Sequence, residues 1–285
     1  MQTVITVFVF RSTYFNADTV FCWWPQGFEA VRPLLEQASI VVLRQCPEPL
    51  VQKFGRWSFK SLPFHTPLID LTRTEEELWQ KLDPKSCRYE IRKAQKLDCA
   101  ISLNEETEAA RLLLNESIRR MRYRHEVTQQ RWETELHLHD VFLCRWHGIP
   151  LATHVLLRDA PHRAKLLFSA TVDRSDERFR PVVGPCNRLL HWHELRHYKA
   201  KGFHYYDFGG CDLDKAAPDY PITQFKLSFG GEVVAEPTLF LAKNPAVRAL
   251  FRGLGAGQRA VRRLPWPEAW LQVVRTRPWL ADLFR

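Results

Sequence analysis

The stretches Tyr206-Asp207-Phe208-Gly209-Gly210 and Phe225-Lys226-Leu227-Ser228-Phe229-Gly230-Gly231 carry the strongest fold signal in this sequence. The first predicts a strand that ends at Asp207 and is followed by two glycines. The second predicts a short helix that presents Lys226 and ends in another glycine pair. Glycine lets the backbone approach a ligand closely, and free N–H groups can hold an oxyanion, so both turns are candidate site elements. Taken alone, each also fits a tight turn with Lys226 at the surface.

A row of basic residues occupies a helix that is predicted to begin at Asp83-Pro84, with Asp83 as the N-cap. The basic residues are Lys85, Arg88, Arg92, Lys93 and Lys96. Spacings of 3, 4 and 4 place all of them except Lys93, which is adjacent, on one helical face. Such a face can bind a phosphate or diphosphate through charge-assisted hydrogen bonds. It can equally be a solvated helix surface.

Strand and helix patterns alternate along the chain, which predicts an α/β or α+β fold with a mixed central sheet flanked by helices. Residues 1–66 form a short predicted α/β lobe. Thr74 and Glu77 form a capping box that starts a helix. The other predicted strands are 4–10, 39–43, 68–71, 141–146, 151–157, 165–172, 203–208 and 232–241, and the other predicted helices lie near 29–36, 106–124 and 186–200.

The order of four motifs is more informative than any one of them. They are Ile69-Asp70-Leu71, Arg88-Tyr89-Glu90-Ile91-Arg92-Lys93-Ala94, and the two stretches at 206–210 and 225–231. This order resembles the FemAB-like branch of the GNAT acyltransferase superfamily, over about residues 67–242. The resemblance implies a GNAT-like domain at 67–242. Residues 1–66 are then interpreted as a truncated first GNAT-like domain, and residues 243–285 as a basic amphipathic helical tail.

The resemblance also implies transfer of an acyl group to an amine of an anionic cell-envelope precursor. Peptidoglycan-bridge aminoacyltransferases of this branch use aminoacyl-tRNA and a diphosphate-bearing, lipid-linked acceptor, whereas relatives in polysaccharide pathways resemble acyl-CoA enzymes. The donor is therefore either aminoacyl-tRNA or acyl-CoA, and no tightly bound cofactor or metal is implied. The coenzyme-A loop Q/R-x-x-G-x-G/A is absent in strict form, and the nearest match is residues 180–186. A coiled-coil arm, found in some tRNA-dependent relatives, is not evident.

Attack of an amine on an ester or thioester makes a tetrahedral oxyanion, so catalysis depends on positioning and on positive charge or donors near that oxygen. In this scheme Lys226 supplies charge there or holds the donor's phosphate, and Asp207 orients or deprotonates the amine. The basic face then holds the acceptor's diphosphate. The remaining predicted substrate contacts are Tyr206, Gly209, Gly210, Phe225, Phe229, Gly230 and Gly231.

His193-Glu194-Leu195-Arg196-His197 matches the HExxH pattern of zinc peptidases, in which two histidines bind the metal and the glutamate activates water. A third ligand is missing where the longer motif needs it, and only Glu236 is at a plausible distance downstream. A zinc hydrolase is therefore a minor alternative. The resemblance instead makes this stretch the helix that precedes the D-F-G-G strand.

The net charge of +9 on 285 residues is concentrated in the tail. Residues 243–285 contain nine Lys or Arg and two acids, which leaves only +2 for residues 1–242. Val247, Leu250, Phe251 and Leu254 predict one apolar helical face. An anionic membrane surface, an RNA contact and simple packing on the domain all fit residues 244–285. A non-catalytic GNAT-fold protein that binds RNA or anionic membrane is the corresponding alternative function.

The composition of the chain limits which classes of protein and which cellular locations it fits. With 45% apolar and 26% charged residues, the chain is an ordinary globular protein. Its seven cysteines include no CxxC pair, which argues against a disulfide framework and a zinc ribbon and favours reduced thiols. The apolar run at 4–10 is too short for a signal peptide core, and no run reaches 18 apolar residues. We expect a cytoplasmic protein, with peripheral association at the inner membrane surface left open and no DNA partner.

Overall fold

The computed structural model describes residues 8–14, 17–120 and 126–261, with side chains at 17–120 and 126–253. Its strands are β1 (Phe8–Tyr14), β2 (Ala17–Trp23), β3 (Ile40–Arg44), β4 (Ser58–Leu62), β5 (His65–Asp70), β6 (Cys99–Leu103), β7 (His139–Trp146), β8 (Ile149–Asp159), β9 (Arg163–Thr171), β10 (Tyr205–Asp207), β11 (Glu232–Ala235) and β12 (Thr238–Leu241). Its α-helices are α1 (Phe28–Gln37), α2 (Glu48–Phe54), α3 (Glu75–Lys81), α4 (Tyr89–Ala94), α5 (Thr107–Arg120), α6 (Gln129–Glu135), α7 (Arg180–Ala200), α8 (Tyr220–Leu227) and α9 (Pro245–Val261). The predicted mixed α/β class is confirmed.

The chain divides into two compact units. Unit 1 contains residues 1–64 and the chain from 235 onward, and unit 2 contains residues 65–234. The predicted boundary after residue 66 lies close to the first division. The described residues after 242 are grouped with unit 1. The division into a truncated domain, an acyltransferase domain and a separate tail stays a prediction.

Unit 1 is built on a five-stranded sheet in the order β1-β2-β3-β12-β4. Its central strand β3 is buried on both faces, which explains its unbroken apolar sequence. Val41 and Leu43 pack into one cluster, while Ile40 and Val42 pack into another on the opposite face. This alternation is the two-residue period of a strand. The predicted strand at 39–43 is thereby confirmed.

The predicted strand 232–241 is wrong as a single element. Its first part is β11, in the sheet of unit 2, and its second part is β12, in the sheet of unit 1. Pro237 separates the two parts because proline has no N–H to give to a strand ladder. Its carbonyl accepts a 2.9 Å hydrogen bond from the Cys46 N–H instead.

The basic tail begins with α9, whose described part packs on β4. The Phe251 ring stacks on Phe59 with ring centroids 5.0 Å apart, and Arg252 Nη2 donates to the Ser58 carbonyl at 2.7 Å. Leu250, predicted on the same apolar face, is 60% exposed. Leu254 and the later basic side chains lie outside the described residues, so docking of the tail on membrane or RNA stays a prediction. No helix in the described ranges is long and apolar enough to cross a bilayer.

Unit 2 is built on a seven-stranded sheet in the order β11-β5-β10-β9-β8-β7-β6. From β6 to β9 neighbouring strands are antiparallel, and β9 and β10 form a parallel pair that the long helix α7 connects. A crossover helix is the usual way to join parallel neighbours. The predicted position of α7, directly before the D-F-G-G strand, is confirmed.

Two predicted helix starts in unit 2 are confirmed by their caps. Thr74 Oγ1 accepts from the Glu77 N–H while the Glu77 carboxylate accepts from the Thr74 N–H, which completes the capping box of α3. Asp83 Oδ1 accepts from the Ser86 N–H at 2.7 Å. The helix that follows Asp83 opens with one π-helical turn at Pro84–Arg88 before it continues as α4.

Helix α7 begins six residues before its predicted start at 186. Pro181 is acceptable there because the first turn of a helix has no use for its missing N–H. Pro185 lies inside the helix and leaves the Pro181 carbonyl without its helical donor. The Lys93 ammonium of α4 donates to that carbonyl at 3.1 Å. A cation from the neighbouring helix thus replaces the lost backbone bond.

Candidate functional site

Two of the four motifs meet as paired strands. Strand β10 is antiparallel to β5, with Tyr206 opposite Ile69 and Asp207 opposite Leu68. After Asp207 the chain leaves the sheet. Thr66 Oγ1, on β5, contacts Asp207 Oδ1 and the Gly209 carbonyl, the latter at 2.9 Å. Strand β5 therefore fixes the D-F-G-G turn directly.

Asp207 is buried completely at this strand end. Its Oδ1 accepts from the Gly209 N–H at 2.7 Å, and its Oδ2 lies 3.3 Å from Arg163 Nη1 and 3.8 Å from Lys165 Nζ. Arg163 and Lys165 are each 4% exposed. A buried carboxylate needs such partners because desolvation of an unpaired charge is costly. Its contacts therefore hold the turn in place.

Lys226, at the last turn of α8, lies against the same turn. Its Nζ donates to the Gly210 carbonyl at 2.5 Å and to the Gly209 carbonyl at 3.4 Å. The side chain is half-buried. The structure therefore places the predicted catalytic pair on the two sides of one glycine turn, where Asp207 holds an N–H and Lys226 holds two carbonyls.

Both glycine pairs approach the protein's own chain closely. Gly209 has a φ of +71° and Gly230 a φ of +80°. A Cβ on Gly230 would lie 2.5 Å from the Lys81 carbonyl oxygen, and a Cβ on Gly231 would lie 3.1 Å from that of Leu68. The N–H of Gly230 donates to Leu227, just as that of Gly209 donates to Asp207. These two predicted oxyanion donors are engaged internally, whereas Gly210 is exposed.

The helix at 84–96, which carries the basic residues, also contacts the F-K-x-x-F-G-G turn. The N–H of Asp83, at its start, donates to the Ser228 carbonyl in the F-K-x-x-F-G-G turn at 2.8 Å. Four of its five predicted binding residues are exposed, namely Lys85, Arg92, Lys93 and Lys96. Arg88 is half-buried and donates from Nη1 to Gln80 Oε1 at 3.1 Å. Three of the four motifs are therefore in direct contact in unit 2, and the helix that carries the fourth touches them at its start.

The two phenylalanines of the F-K-x-x-F-G-G turn form an aromatic cluster. The Phe225 and Phe229 ring centroids lie 5.6 and 5.2 Å from that of His191 on α7. The Arg188 guanidinium lies 4.5 Å from the Phe225 centroid and donates to Ser228 Oγ at 2.7 Å. Phe229 is 1% exposed. These contacts anchor the turn to α7.

A buried polar network below this cluster was not predicted as a unit. Glu194 accepts from His154 through Oε1 and from the Tyr206 hydroxyl through Oε2, both at 2.6 Å. His191 Nδ1 lies 3.0 Å from the same hydroxyl, and its ring stacks on His154 with centroids 4.0 Å apart. Asn187 Oδ1 lies 3.0 Å from His154 Nε2. Tyr206, a predicted substrate contact, is thus fully buried in a hydrogen-bonded core.

Burial and neighbouring charges shift the pKa of two groups in this network. Oxygen atoms of Glu194 and Asn187 lie beside the two ring nitrogens of His154. Burial raises the pKa of Glu194, but the His154 charge and hydrogen bonds outweigh it and lower that pKa to about 2. Burial, with the neighbouring His154 charge, lowers the pKa of His191 to about 3. His191 is therefore neutral and donates to Tyr206, which donates to Glu194.

This network changes the interpretation of the HExxH match. Glu194 is paired with His154 and His191, while His193 is exposed and His197 packs edge-on against Phe142 with centroids 5.4 Å apart. Ligand atoms of His154, His191 and Glu194 do lie within 4.8 Å of one another. They are already hydrogen-bonded to each other and to Tyr206, however, so a metal would have to displace a satisfied network. The zinc-peptidase geometry is not formed.

A cavity of about 290 Å³ opens beside the motifs. Residues of two motifs line it, including Asp70 and Gly230, together with Tyr205, Arg73 and Lys81. Two ion pairs border the cavity, Arg73 with Asp70 at 3.4 Å and Lys81 with Glu232 at 3.9 Å. The volume is at the small end of ligand pockets and suits an acyl or aminoacyl group rather than a whole donor.

Comparison with known proteins identifies no relative by sequence. No protein-family model matches the chain, and no curated protein matches it. Solved structures do match. A FemX crystal structure superposes with a TM-score of 0.64 at 14% identity, over 85% of this chain and 86% of that one.

Two further solved structures match over most of the chain. The C-terminal domain of a putative lysylphosphatidylglycerol synthetase from Agrobacterium fabrum matches with a TM-score of 0.57 at 13% identity, over 86% of this chain and 83% of that one. L-PGS from Bacillus licheniformis matches with a TM-score of 0.56 at 12% identity, over 86% and 85%. At such identities a likeness shows the fold alone. The chain therefore has a FemX-like fold, which is the fold that the four ordered motifs imply.

Proposed function

We propose that this protein transfers an acyl or aminoacyl group from an activated ester or thioester to an amine of an anionic acceptor. The observation that carries the proposal is the contact among three of the motifs in unit 2, with the start of the basic helix against them. The FemX-like fold supports the same reaction class. In the reaction the amine forms a bond to the carbonyl carbon, the bond to the tRNA oxygen or CoA sulfur breaks, and the amine proton is lost to a base or to water.

Lys226 is the residue proposed to act on the reacting groups. Its ammonium group holds the Gly209 and Gly210 carbonyls and concentrates positive charge where the D-F-G-G strand ends. Charge fixed at a half-buried site stabilises a developing oxyanion, or a donor phosphate, more strongly than charge in water. The cavity next to the motifs then holds the acyl group.

Asp207 is proposed as a positioning residue. Its carboxylate is fully buried and already accepts from Thr66 and Gly209. A proton acceptor has to come within about 3 Å of the amine it deprotonates. The buried carboxylate instead fixes the turn on which Lys226 acts, so the amine proton leaves to another base or to water.

The exposed basic face of the helix at 84–96 is proposed to bind the acceptor's phosphate groups. Lys85, Arg92 and Lys96 face solvent and can each donate to phosphate oxygens. The name of one structural neighbour links lysine to phosphatidylglycerol, which is an anionic lipid. An anionic acceptor, either a diphosphate precursor or a phospholipid, is therefore the class we propose.

Donor and turnover are tested together in one transfer assay. Purified protein is supplied with labelled aminoacyl-tRNA or acyl-CoA and with diphosphate-bearing amine or phosphatidylglycerol acceptors. Lys226→Met should lower turnover by about 100-fold, the size of effect seen when one oxyanion donor is removed. Lys201→Met, at an exposed lysine on the far end of α7, is the matched control and should retain turnover. Equal turnover in both variants would remove Lys226 from the reaction.

A separate kinetic measurement tests whether the basic face binds the acceptor. The double variant Lys85→Glu and Lys96→Glu should raise KM for the anionic acceptor and leave kcat largely unchanged, because it removes binding that substrate and transition state share. Lys53→Glu and Lys201→Glu alter net charge equally at exposed sites elsewhere. If the control pair raised KM as much, the effect would be one of overall charge, and the basic face would lose its assigned role.

A further inference from the structure

Three cysteines from different elements meet on the face of the unit 2 sheet that α7 covers. Cys144 on β7 lies opposite Ile101, two residues along β6 from Cys99, so both cysteines project from the same face. Cys186 on α7 lies over them. The three sulfur atoms are all within 4.8 Å of one another, and Cys99 Sγ lies 3.0 Å from Cys186 Sγ. No other all-cysteine cluster of this kind occurs within the described ranges.

The spacing of the sulfurs matches that of a thiolate-bound cation. With metal–sulfur bonds of about 2.3 Å, three thiolates around one ion lie about 4 Å from each other. The Cys99–Cys186 spacing is 3.0 Å and neither of the other two exceeds 4.8 Å, so the ion would need the first pair to separate by roughly 1 Å. Rotation about χ1 of a cysteine supplies movements of that size without a change in the backbone.

Ligand type and access are also suited to a cation. Cys144 and Cys186 are fully buried, while Cys99 is half-buried and gives a path from solvent. Thiolate ligands favour soft or borderline cations.

We propose that Cys99, Cys144 and Cys186 form a three-thiolate binding site for a thiophilic d¹⁰ cation, Zn²⁺ or Cu⁺. Binding forms three metal–sulfur bonds and releases to solvent whatever protons the three thiols carry, with no change of oxidation state. The ion would tie β6, β7 and α7 together. The presence of this site does not depend on the proposed transfer reaction.

Cadmium titration of the full chain, purified with reductant and stripped of metal, tests the site. Cd²⁺ is the probe because its bonds to thiolates give an ultraviolet charge-transfer band. One Cd²⁺ per chain should bind with this band, and Cu⁺, or a large excess of Zn²⁺, should displace it. Cys99→Ala, at a half-buried edge position that leaves the core intact, should lose the band. Cys87→Ala removes a fully buried thiol outside the cluster and should retain it.

A second measurement separates loss of the site from loss of the fold. Zn²⁺ or Cu⁺ should raise the unfolding midpoint of the wild type and of Cys87→Ala, because a ligand of the native state stabilises it, and should not raise that of Cys99→Ala. Binding that survives Cys99→Ala would overturn the proposal. So would a wild-type chain that binds no Cd²⁺ under reducing conditions, or one that forms a Cys99–Cys186 disulfide in place of any metal complex.

Discussion

Replacing Gly230 by alanine is expected to destabilise the protein by about 2–5 kcal/mol, although only one methyl group is added. Gly230 has a φ of +80°, in the left-handed region. Its added Cβ would lie 2.5 Å from the Lys81 carbonyl oxygen and 2.7 Å from the Lys81 Cβ. Neither atom is the free end of a flexible side chain. The backbone at the end of α3 would therefore have to move.

Two separate costs make up this figure. An L-residue in the left-handed region costs about 1–2 kcal/mol. Overpacking that shifts the backbone adds about 1–3 kcal/mol. Gly148→Ala isolates the first cost, because Gly148 has nearly the same φ, +77°, and no atom within 4 Å of the added Cβ. The difference between the two losses in the free energy of unfolding is the cost of the close contact between the added Cβ at position 230 and Lys81.

Urea unfolding of both variants, followed by circular dichroism, measures that difference. Similar m-values would show that the two variants unfold from equally compact native states. Gly230→Ala should lose at least about 1 kcal/mol more than Gly148→Ala. Equal losses would refute the argument that the F-G-G turn is held against α3, and would return Gly230 to the role of a glycine that makes room for substrate.

Three further predictions concern buried charge and one helix bond. Burial lowers the pKa of His191 to about 3, so as the pH falls below about 6.5 the imidazole takes up a proton in the unfolded chain but not in the folded one. The free energy of unfolding should therefore drop by about 1–2 kcal/mol between pH 7 and 5. In urea titrations, His191→Gln should make that drop smaller. Asp207→Asn should cost about 3–5 kcal/mol in the same assay, because it leaves the Arg163 and Lys165 charges buried beside a neutral group. Lys93→Met should lower the thermal midpoint by a few degrees through loss of the bond to the Pro181 carbonyl, whereas the neighbouring Arg92→Met should not.

The sequence predicts the part of unit 2 where the motifs meet well because its signals are local. Glycine pairs, the capping box at Thr74 and the N-cap at Asp83 each act within a few residues, and the structure shows that they shape the chain as expected. The pairing of β5 with β10 then brings the motifs at 69–71 and 206–210 together, and no other signal in the sequence is needed for this. Order along the chain was therefore enough to identify the fold.

What the sequence does not predict depends on distant partners. The bond from Lys93 to the Pro181 carbonyl permits α7 to start at 180, although the prolines within 181–185 argue against a helix there. Glu194 stands in an HExxH pattern, but its partners are His154, 40 residues away, and His191 on the adjacent helical turn. A spacing of three between His191 and Glu194 was the one local sign of that pairing. The switch of 232–241 between two sheets has no local sign except Pro237.

Binding of the activated donor tests the central claim most directly. Aminoacyl-tRNA, deacylated tRNA, acetyl-CoA and free CoA are compared as competitors at about 0.15 M salt, because at low salt a chain with a net charge of +9 binds any RNA. The account predicts saturable binding of one donor class, with the acylated form tighter than its deacylated counterpart because the acyl group occupies the cavity beside Gly230. Equal binding of acylated and deacylated forms, or no binding of either class, would contradict the assignment of an acyl-transfer site.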